Sequence, residues 1–356
     1  MKRRVLLASS MLFVTVGLAC GFPDDRAPDT GAGVDSVPSA DVSGADAASA
    51  DVDGEVPLIA AGTLRVHFLD VGQGDGILIV SPGGETVLID GGGSRCGLVV
   101  QTLDTLGVGD IDYAIASHYH EDHIGCTPEI LARRDVRYAA YDRGASPSTD
   151  STGSDTYNAY VAAVGSKRRK ASAEAPILLD NGDVRIDFAA LNGNGTGASD
   201  ENDLSVVAVL RYGRFDAVMG GDLGGYDAGG GTDVETSVAP IVGRVEVYKV
   251  HHHGSEDGSN PAWLAITQPQ VGVVPVGTVN PYGHPSAAAM GRLHQAGVDL
   301  YWTQAGNGVA PVAGLDRVWG GVVVEVAPGS QGFTVTGKGG TVQYQSWPDA
   351  AFADSM

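Results

Sequence analysis

The chain has 356 residues, a length that suits two average domains or one large α/β domain with appendages. Apolar residues make up 43% and charged residues 18%, enough for a sizeable core, and the 52 glycines point to turns and tight loops rather than long helices. A net charge of −21 argues against general attraction to nucleic acid, which is bound through Lys and Arg, and suits an extracytoplasmic protein kept soluble by acidic charge.

Lys2, Arg3 and Arg4 form a basic start, followed by an apolar run from Val5 to Ala19 that is too short to span a bilayer comfortably. The run ends at Cys20 and resembles a bacterial lipoprotein signal, which implies a lipid on Cys20 and a membrane anchor. Gly17 departs from that pattern, because a large aliphatic residue usually stands there. Ordinary signal cleavage is the alternative, and export is expected either way. Residues 21–62 are dominated by Asp, Ala, Ser, Gly and Pro, with Arg26 as their one basic residue. Such a stretch buries too little apolar surface to offset chain entropy, so a disordered acidic tether is expected. Residues 63–346 then form one globular region, and 347–356 a C-terminal tail.

Within the globular region, Thr63 to Val71 alternates as a strand, Gly72 to Gly76 is a turn, and Ile77 to Val80 is a second strand. Thr86 to Ile89 is a third strand and runs into Asp90-Gly91-Gly92-Gly93. Leu98 to Leu106 reads as an amphipathic helix. Tyr113 to Ala116 is a strand that leads into Ser117-His118-Tyr119-His120-Glu121-Asp122-His123. Pro128 suits the first turn of a following helix. Gly144 to Gly153 is a loop, and Tyr157 to Lys170 reads as a helix whose Lys167-Arg168-Arg169-Lys170 end is solvated. Strands are expected at 184–191 and 204–211, with a loop over 192–202 between them. Phe215 to Met219 leads to Gly220-Gly221-Asp222, and Val245 to Val250 leads to His251-His252-His253. Helices near 260–267 and 287–296 alternate with strands near 271–276 and 299–302, before a C-terminal hairpin. The pattern is of α/β (α+β) class, with two sheets face to face and helices outside.

Nine histidines occur, and six fall in two clusters, at 118, 120 and 123 and at 251 to 253. His118 and His120, two apart on an extended segment, can face the same side. Asp122 and His123 follow the turn and can face a second point. Imidazole and carboxylate suit zinc, manganese or iron. Four ligand-type residues in six positions at a strand end are hard to reconcile with a solvated or packed role.

His-x-His-x-Asp-His resembles the signature of the metallo-β-lactamase superfamily. The finer likeness is to the hydrolase domain of ComEC-type DNA-uptake proteins and their stand-alone relatives. It is carried by Leu69-Asp70-Val71-Gly72-Gln73-Gly74-Asp75, Leu88-Ile89-Asp90-Gly91-Gly92, Ser117 to Gly125, Asn202-Asp203-Leu204-Ser205, Gly221-Asp222-Leu223, Lys249 to Ser255, and Asn280-Pro281-Tyr282-Gly283-His284-Pro285, in the family's order. The resemblance implies a four-layer αββα metallo-β-lactamase sandwich holding two divalent metal ions, Mn²⁺ or Zn²⁺, at one edge. It assigns His118 and His120 to the first metal, Asp122 and His123 to the second, and Asp222 to a bridge between them. His253, or else His252, completes the second site, and Asp90 orients the histidine loop. Many members have one more histidine before the bridging Asp, but this chain has none between 124 and 250. Asn202, Asp203 or water is left to complete the first site, an arrangement more natural for Mn²⁺.

The resemblance also implies water activated by the metals, positioned by Asp122 and Asp222, attacking phosphorus. His284 or Lys249 assists. A phosphodiester or nucleic-acid substrate is expected. Hydrolysis of a lactone, thioester or β-lactam is the alternative, and a non-catalytic lipoprotein binding module a further one. No protein partner is inferable. Among the remaining residues, Gln73 and Asp75 either shape a turn or serve the site, Ser255 either meets a phosphate oxygen or the backbone, and His67 is structural. The superfamily likeness brings the loops of Cys96 and Cys126 to one edge, where export favours a disulfide over two free thiols.

Overall fold

The computed structural model describes residues 62–226 and 231–348. The signal, Cys20, all but the last residue of the tether, and the tail beyond residue 348 lie outside the described residues. No helix among the described residues is long and apolar enough to cross a membrane.

Two sheets form the centre. The first has nine strands, in the spatial order Gly340–Gln345, Gly332–Gly337, Val322–Val326, Leu64–Phe68, Gly76–Val80, Thr86–Gly91, Ile111–Ile115, Val136–Asp142 and Arg168–Lys170. The second has eight, in the order Asp316–Val318, Asp299–Trp302, Val271–Val274, Val247–Lys249, Phe215–Met219, Val207–Tyr212, Val184–Ala190 and Ile177–Leu179. Val66, Phe68, Ile77, Ile79 and Ile89 of the first sheet pack against Ile186, Phe188, Leu210, Phe215 and Val247 of the second in one buried cluster. The opposite faces are covered by helices. Val99, Val100 and Leu103 of helix Cys96–Thr105 pack on Leu78, Val80 and Leu88. Trp263, Leu264, Met290 and Leu293 of helices Pro261–Thr267 and Ala287–Gln295 pack on Tyr248, Val274 and Leu300. The architecture is the expected αββα sandwich. Strands such as Gly76–Val80 and Val271–Val274, buried along their whole length, read as continuous apolar runs because both faces of each sheet are covered.

The chemistry-bearing segments sit where strands end. Strands Thr86–Gly91, Ile111–Ile115 and Val136–Asp142 are parallel neighbours, as are Phe215–Met219, Val247–Lys249 and Val271–Val274. Their carboxyl ends emit Asp90, the histidine loop, Asp222, the triple histidine and the 277–285 loop. Open α/β sheets place ligand sites at such ends.

One sequence expectation is corrected here. The helix read over 157–170 spans Asp155–Val164 and stops at Gly165, whose φ is 50°. Arg168–Lys170 is an edge strand paired with Ala140–Asp142, not a solvated helix end. Arg168 Nε donates to the buried Asp142 Oδ2 at 2.6 Å, so that basic run is partly spent on an internal ion pair. Chain order also continues into the expected tail: Trp347 N donates to Glu246 Oε1 at 2.9 Å.

Candidate metal centre

Asp122, His123, Asp222 and His253 each bring one ligand-type atom to within 4.8 Å of the others. His123 Nε2 lies 3.2 Å from Asp222 Oδ2, and His253 Nε2 lies 3.3 Å from both Asp222 Oδ2 and Asp122 Oδ2. His118 Nε2 and His120 Nδ1 approach each other at 3.1 Å beside this group, with His118 Nε2 4.0 Å from Asp222 Oδ2. Asp222 Oδ2 therefore stands between the two sets. His252 Nε2 is further off, at 3.9 Å from Asp222 Oδ2, and its Nδ1 faces Asp257 Oδ1 at 3.2 Å. Of the two tandem histidines, His253 is the one drawn into the compact group.

Local backbone geometry produces this convergence. His252 and His253 have φ of 50° and 52°, a left-handed turn that side chains other than glycine rarely adopt. The turn sends the two rings to different partners. Gly74 has φ of 119°, and a Cβ there would lie 2.0 Å from the Asp122 carbonyl oxygen. The Asp75 N–H donates to that same oxygen at 3.2 Å, so the Gly72–Gly76 turn packs directly under the histidine loop. Asp90 holds the loop from behind. Its Oδ1 accepts from Ser117 N at 2.8 Å, and its Oδ2 accepts from Ser117 Oγ at 2.6 Å and faces His123 Nδ1 at 2.9 Å. The carboxylate fixes the His123 tautomer and leaves Nε2 turned to the centre. Pro275 O does the same for His253 Nδ1, at 2.8 Å.

Asp122, Asp222, Asp75 and Asp90 crowd a space from which water is largely removed. Burial alone would push the His123 imidazole down, yet Asp222, Asp122, Asp75 and Asp90 outweigh it and hold the ring's pKa well above its ordinary value. His253 behaves alike: burial opposes, and the carboxylates led by Asp222 raise it to about 9. These carboxylates require positive charge, and divalent cations would supply it in place of imidazolium protons. His253 Nε2 is buried and makes no hydrogen bond of good geometry although two carboxylate oxygens lie 3.3 Å away, an arrangement that a cation held between them would satisfy. The residues present thus fit a divalent metal site.

Lys249 does not take the expected place. It is wholly buried, donates to Gly221 O at 2.6 Å, and pairs with Asp75 Oδ2 at 2.6 Å and Asp222 Oδ1 at 3.2 Å. It braces the Asp222 carboxylate from behind and does not line the cleft. Asp75 is correspondingly a site residue rather than only a turn former. The cleft has a volume of about 600 Å³ and is lined by His120, Asp122, Asp222, His252, His253 and His284, with Gln73, Asn202 and the 279–282 segment at its sides. His284 therefore does face the cleft. Burial, then His252 and His253, lower its pKa to about 4, so it is a neutral ring at physiological pH. Asn202 lines the cleft with a buried, unpaired Oδ1, whereas Asp203 Oδ2 accepts from Thr232 N at 2.7 Å.

The sequence reading missed two buried supports. Glu201 Oε1 accepts from Tyr119 N at 2.8 Å inside the histidine motif, and Arg143 Nη2 meets Glu201 Oε2 at 2.5 Å with the Arg143 guanidinium 4.5 Å from the Tyr119 ring. His251, for its part, turns away from the cleft to Glu235 Oε1 at 2.6 Å. Neither pair has a local sequence signal, since each partner lies in a different loop or helix.

The model of the metallo-β-lactamase superfamily matches residues 69–278. The chain belongs to this superfamily. Its His-x-His-x-Asp-His loop, Asp222 and the triple histidine all lie inside the matched span. Among curated proteins, it is similar to ComE operon protein 3 of Bacillus subtilis (strain 168), 24% identical over 71% of this chain and 33% of that protein. It is also similar to Recombination protein 2 of Haemophilus influenzae, 26% identical over 65% of this chain and 27% of that protein. The chain thus spans about a third or less of the length of these relatives. Among solved structures it is similar to the metallo-β-lactamase SMB-1 in complex with mercaptoacetic acid, with 15% identity, 67% of this chain and 97% of that chain covered, and a TM-score of 0.41.

Proposed function

We propose that this chain is an extracytoplasmic, metal-dependent phosphodiesterase, held at a membrane by a lipid on Cys20. The observation that carries the hydrolytic reading is the convergence of Asp122, His123, Asp222 and His253 beside the His118–His120 pair at the floor of an open cleft. In this reading His118 and His120 would hold one divalent ion, Asp122, His123 and His253 would hold the other, and Asp222 would serve both. Bound there, such ions lower the pKa of water to roughly 7 and neutralise developing negative charge. The chain's own part is to fix that geometry: Asp90 and Pro275 O orient the imidazoles, and Lys249 locks Asp222. His284, neutral and at the cleft wall, is placed to donate a hydrogen bond to a substrate oxygen. The likeness to ComEC-type proteins supports phosphorus over a carbonyl centre. The thin first site of this reading, whose His118 and His120 join no compact group of three ligand atoms among the described residues, supports Mn²⁺ over Zn²⁺.

The test uses the purified mature protein, stripped of metal and reloaded with Mn²⁺ or Zn²⁺. Turnover of bis-p-nitrophenyl phosphate is expected, faster with Mn²⁺, and at least about 100-fold lower in Asp222→Asn. Cleavage of a lactone or nitrocefin with no action on the phosphodiester would replace this reading with the carbonyl one.

A further inference from the structure

The walls of the metal cleft carry a second chemistry. Among the described residues no Lys or Arg lines it; its charged side chains are Glu121, Asp122 and Asp222, with histidines beside them. Metal ions at the floor would neutralise one phosphodiester there. A neighbouring phosphate inside the cleft would meet Glu121 and no Lys or Arg of the lining, whereas proteins that track polynucleotides line the path with Lys and Arg.

One rim of the cleft is instead apolar and aromatic. Val279 and Tyr282 are 85% and 67% exposed, and Pro281 lies between them on the same wall. Tyr282 lies nearly parallel to His284, with ring centroids 5.8 Å apart and planes 18° apart. His284 is in turn 6.4 Å from the His253 ring, so the ledge is two ring steps from the metal-facing Nε2.

The ledge is also firmly supported, which separates it from an ordinary exposed loop. Asn280 is 2% exposed; its Nδ2 donates to Gly277 O at 2.7 Å and to His284 O at 3.2 Å, and its Oδ1 accepts from His284 N at 3.0 Å. Asn307 N donates to His284 O at 3.1 Å. Gln73 Oε1 accepts from Gly277 N at 3.3 Å, which fixes the Gln73 amide and leaves its Nε2, buried and without a partner, at the same cleft. An aromatic side chain held out to water on a braced loop, beside an unused hydrogen-bond donor, is preorganised for a planar polar partner.

We propose that Val279, Pro281 and Tyr282 form a stacking subsite for a single nucleobase, with Gln73 Nε2 as a donor to the bound ligand. The substrate class is then a small nucleoside phosphodiester, of mono- or dinucleotide size, rather than duplex DNA. This rests on the phosphodiesterase reading above and narrows it.

Two measurements on the Mn²⁺-loaded protein test it. In the first, calorimetry compares thymidine 5′-monophosphate with methyl phosphate, which lacks the base. The nucleotide is expected to bind about 10-fold or more tighter, and Tyr282→Ala should remove that preference while Tyr282→Phe keeps it. Equal affinity for the two ligands in the unaltered protein, or an unchanged preference in Tyr282→Ala, overturns the subsite whether or not any ester is cleaved. In the second, kcat/KM is compared for thymidine 5′-p-nitrophenyl phosphate and methyl p-nitrophenyl phosphate. The ratio should favour the thymidine ester and fall toward one in Tyr282→Ala. Cleavage of a 20-base-pair duplex with kcat/KM equal to that of the thymidine ester overturns the size limit. Failure to cleave any phosphodiester removes the reaction assigned above, and the calorimetric preference still decides the subsite.

Discussion

Asp222 Oδ2 is approached by His123 at 3.2 Å, His253 at 3.3 Å, His252 at 3.9 Å and His118 at 4.0 Å, while Asp222 Oδ1 is held by Lys249. If Asp222 were to serve two ions, the Lys249 contact would help hold its carboxylate in place. The tandem histidines differ in the same terms. Because His253 closes the compact group and His252 is turned toward Asp257, His253→Ala should lose one metal equivalent and weaken affinity by about 100-fold or more, and His252→Ala by clearly less. Metal content by mass spectrometry after dialysis checks this; the opposite ranking would exchange their roles. A different residue governs pH behaviour away from the cleft. Glu246 is 1% exposed, and burial raises its pKa from 4.5 to about 7. The folded state therefore keeps its proton where the unfolded chain has lost it. Its contribution is fully present below pH 4.5 and is lost as pH rises through 7. Burial pushes Asp216 up as well, to about 6, so both act in one direction. Glu246→Gln should flatten the fall in unfolding free energy between pH 5 and pH 8 by about 1–3 kcal/mol, read from urea titrations at each pH. An unchanged slope would show that the carboxyl ionises freely in place.

Helix Cys96–Thr105 and helix Thr127–Leu131 meet at a disulfide between Cys96 and Cys126, with Cα atoms 4.9 Å apart. The sequence expectation of this cross-link is met. Its location matters more than its presence. Gly93, three residues before Cys96, packs so closely that a Cβ would lie 2.8 Å from Asp122 Cα. Cys126 N donates to Gly92 O at 2.9 Å. The disulfide thus fastens the Asp90 loop to the element that carries Asp122 and His123. Cys96→Ser/Cys126→Ser should lower unfolding free energy by about 3 kcal/mol through the unfolded state, and should also weaken metal binding. Denaturant titration and metal titration measure the two effects separately. Loss of stability with metal affinity unchanged would restrict the bond to a structural staple.

The metal centre joins both halves of the sandwich: His118, His120, Asp122 and His123 follow strands of the nine-stranded sheet, and Asp222 and His253 follow strands of the eight-stranded sheet. A cation bound between them cross-links the sheets at one edge, so metal affinity and fold stability are linked. Without it, Asp75, Asp90, Asp122 and Asp222 remain crowded together in a chain of net charge −21. Removing metal with EDTA should lower Tm, and restoring Mn²⁺ at 100 times its dissociation constant should return about 2.7 kcal/mol. Differential scanning calorimetry checks this. A Tm indifferent to EDTA, in protein shown to have bound metal, would mean that the edge is already rigid without it.

Local pattern was sufficient for much of this molecule. The strands at Gly76–Val80, Thr86–Gly91 and Phe215–Met219 announce themselves as apolar runs closed by glycine turns, and the His-x-His-x-Asp-His spacing marks a metal site because ligand types crowd a strand end. Strands Val136–Asp142 and Ile177–Leu179 and helix Glu235–Val242 were not legible. Val136–Asp142 carries Arg137 and Asp142, whose charges find Asp112 and Arg168 only in the assembled sheet. Ile177–Leu179 is three residues long, too short for a periodic signal. The candidate ligand types were readable along the chain, because residue types and their spacing along one strand end are local properties. Only the tertiary structure shows that His253 rather than His252 closes the group, that Lys249 packs behind Asp222, and that Glu201 and Arg143 hold Tyr119. Each of those depends on which loops two packed sheets bring to a common edge, and on a left-handed turn at 252 and 253 that no sequence period encodes.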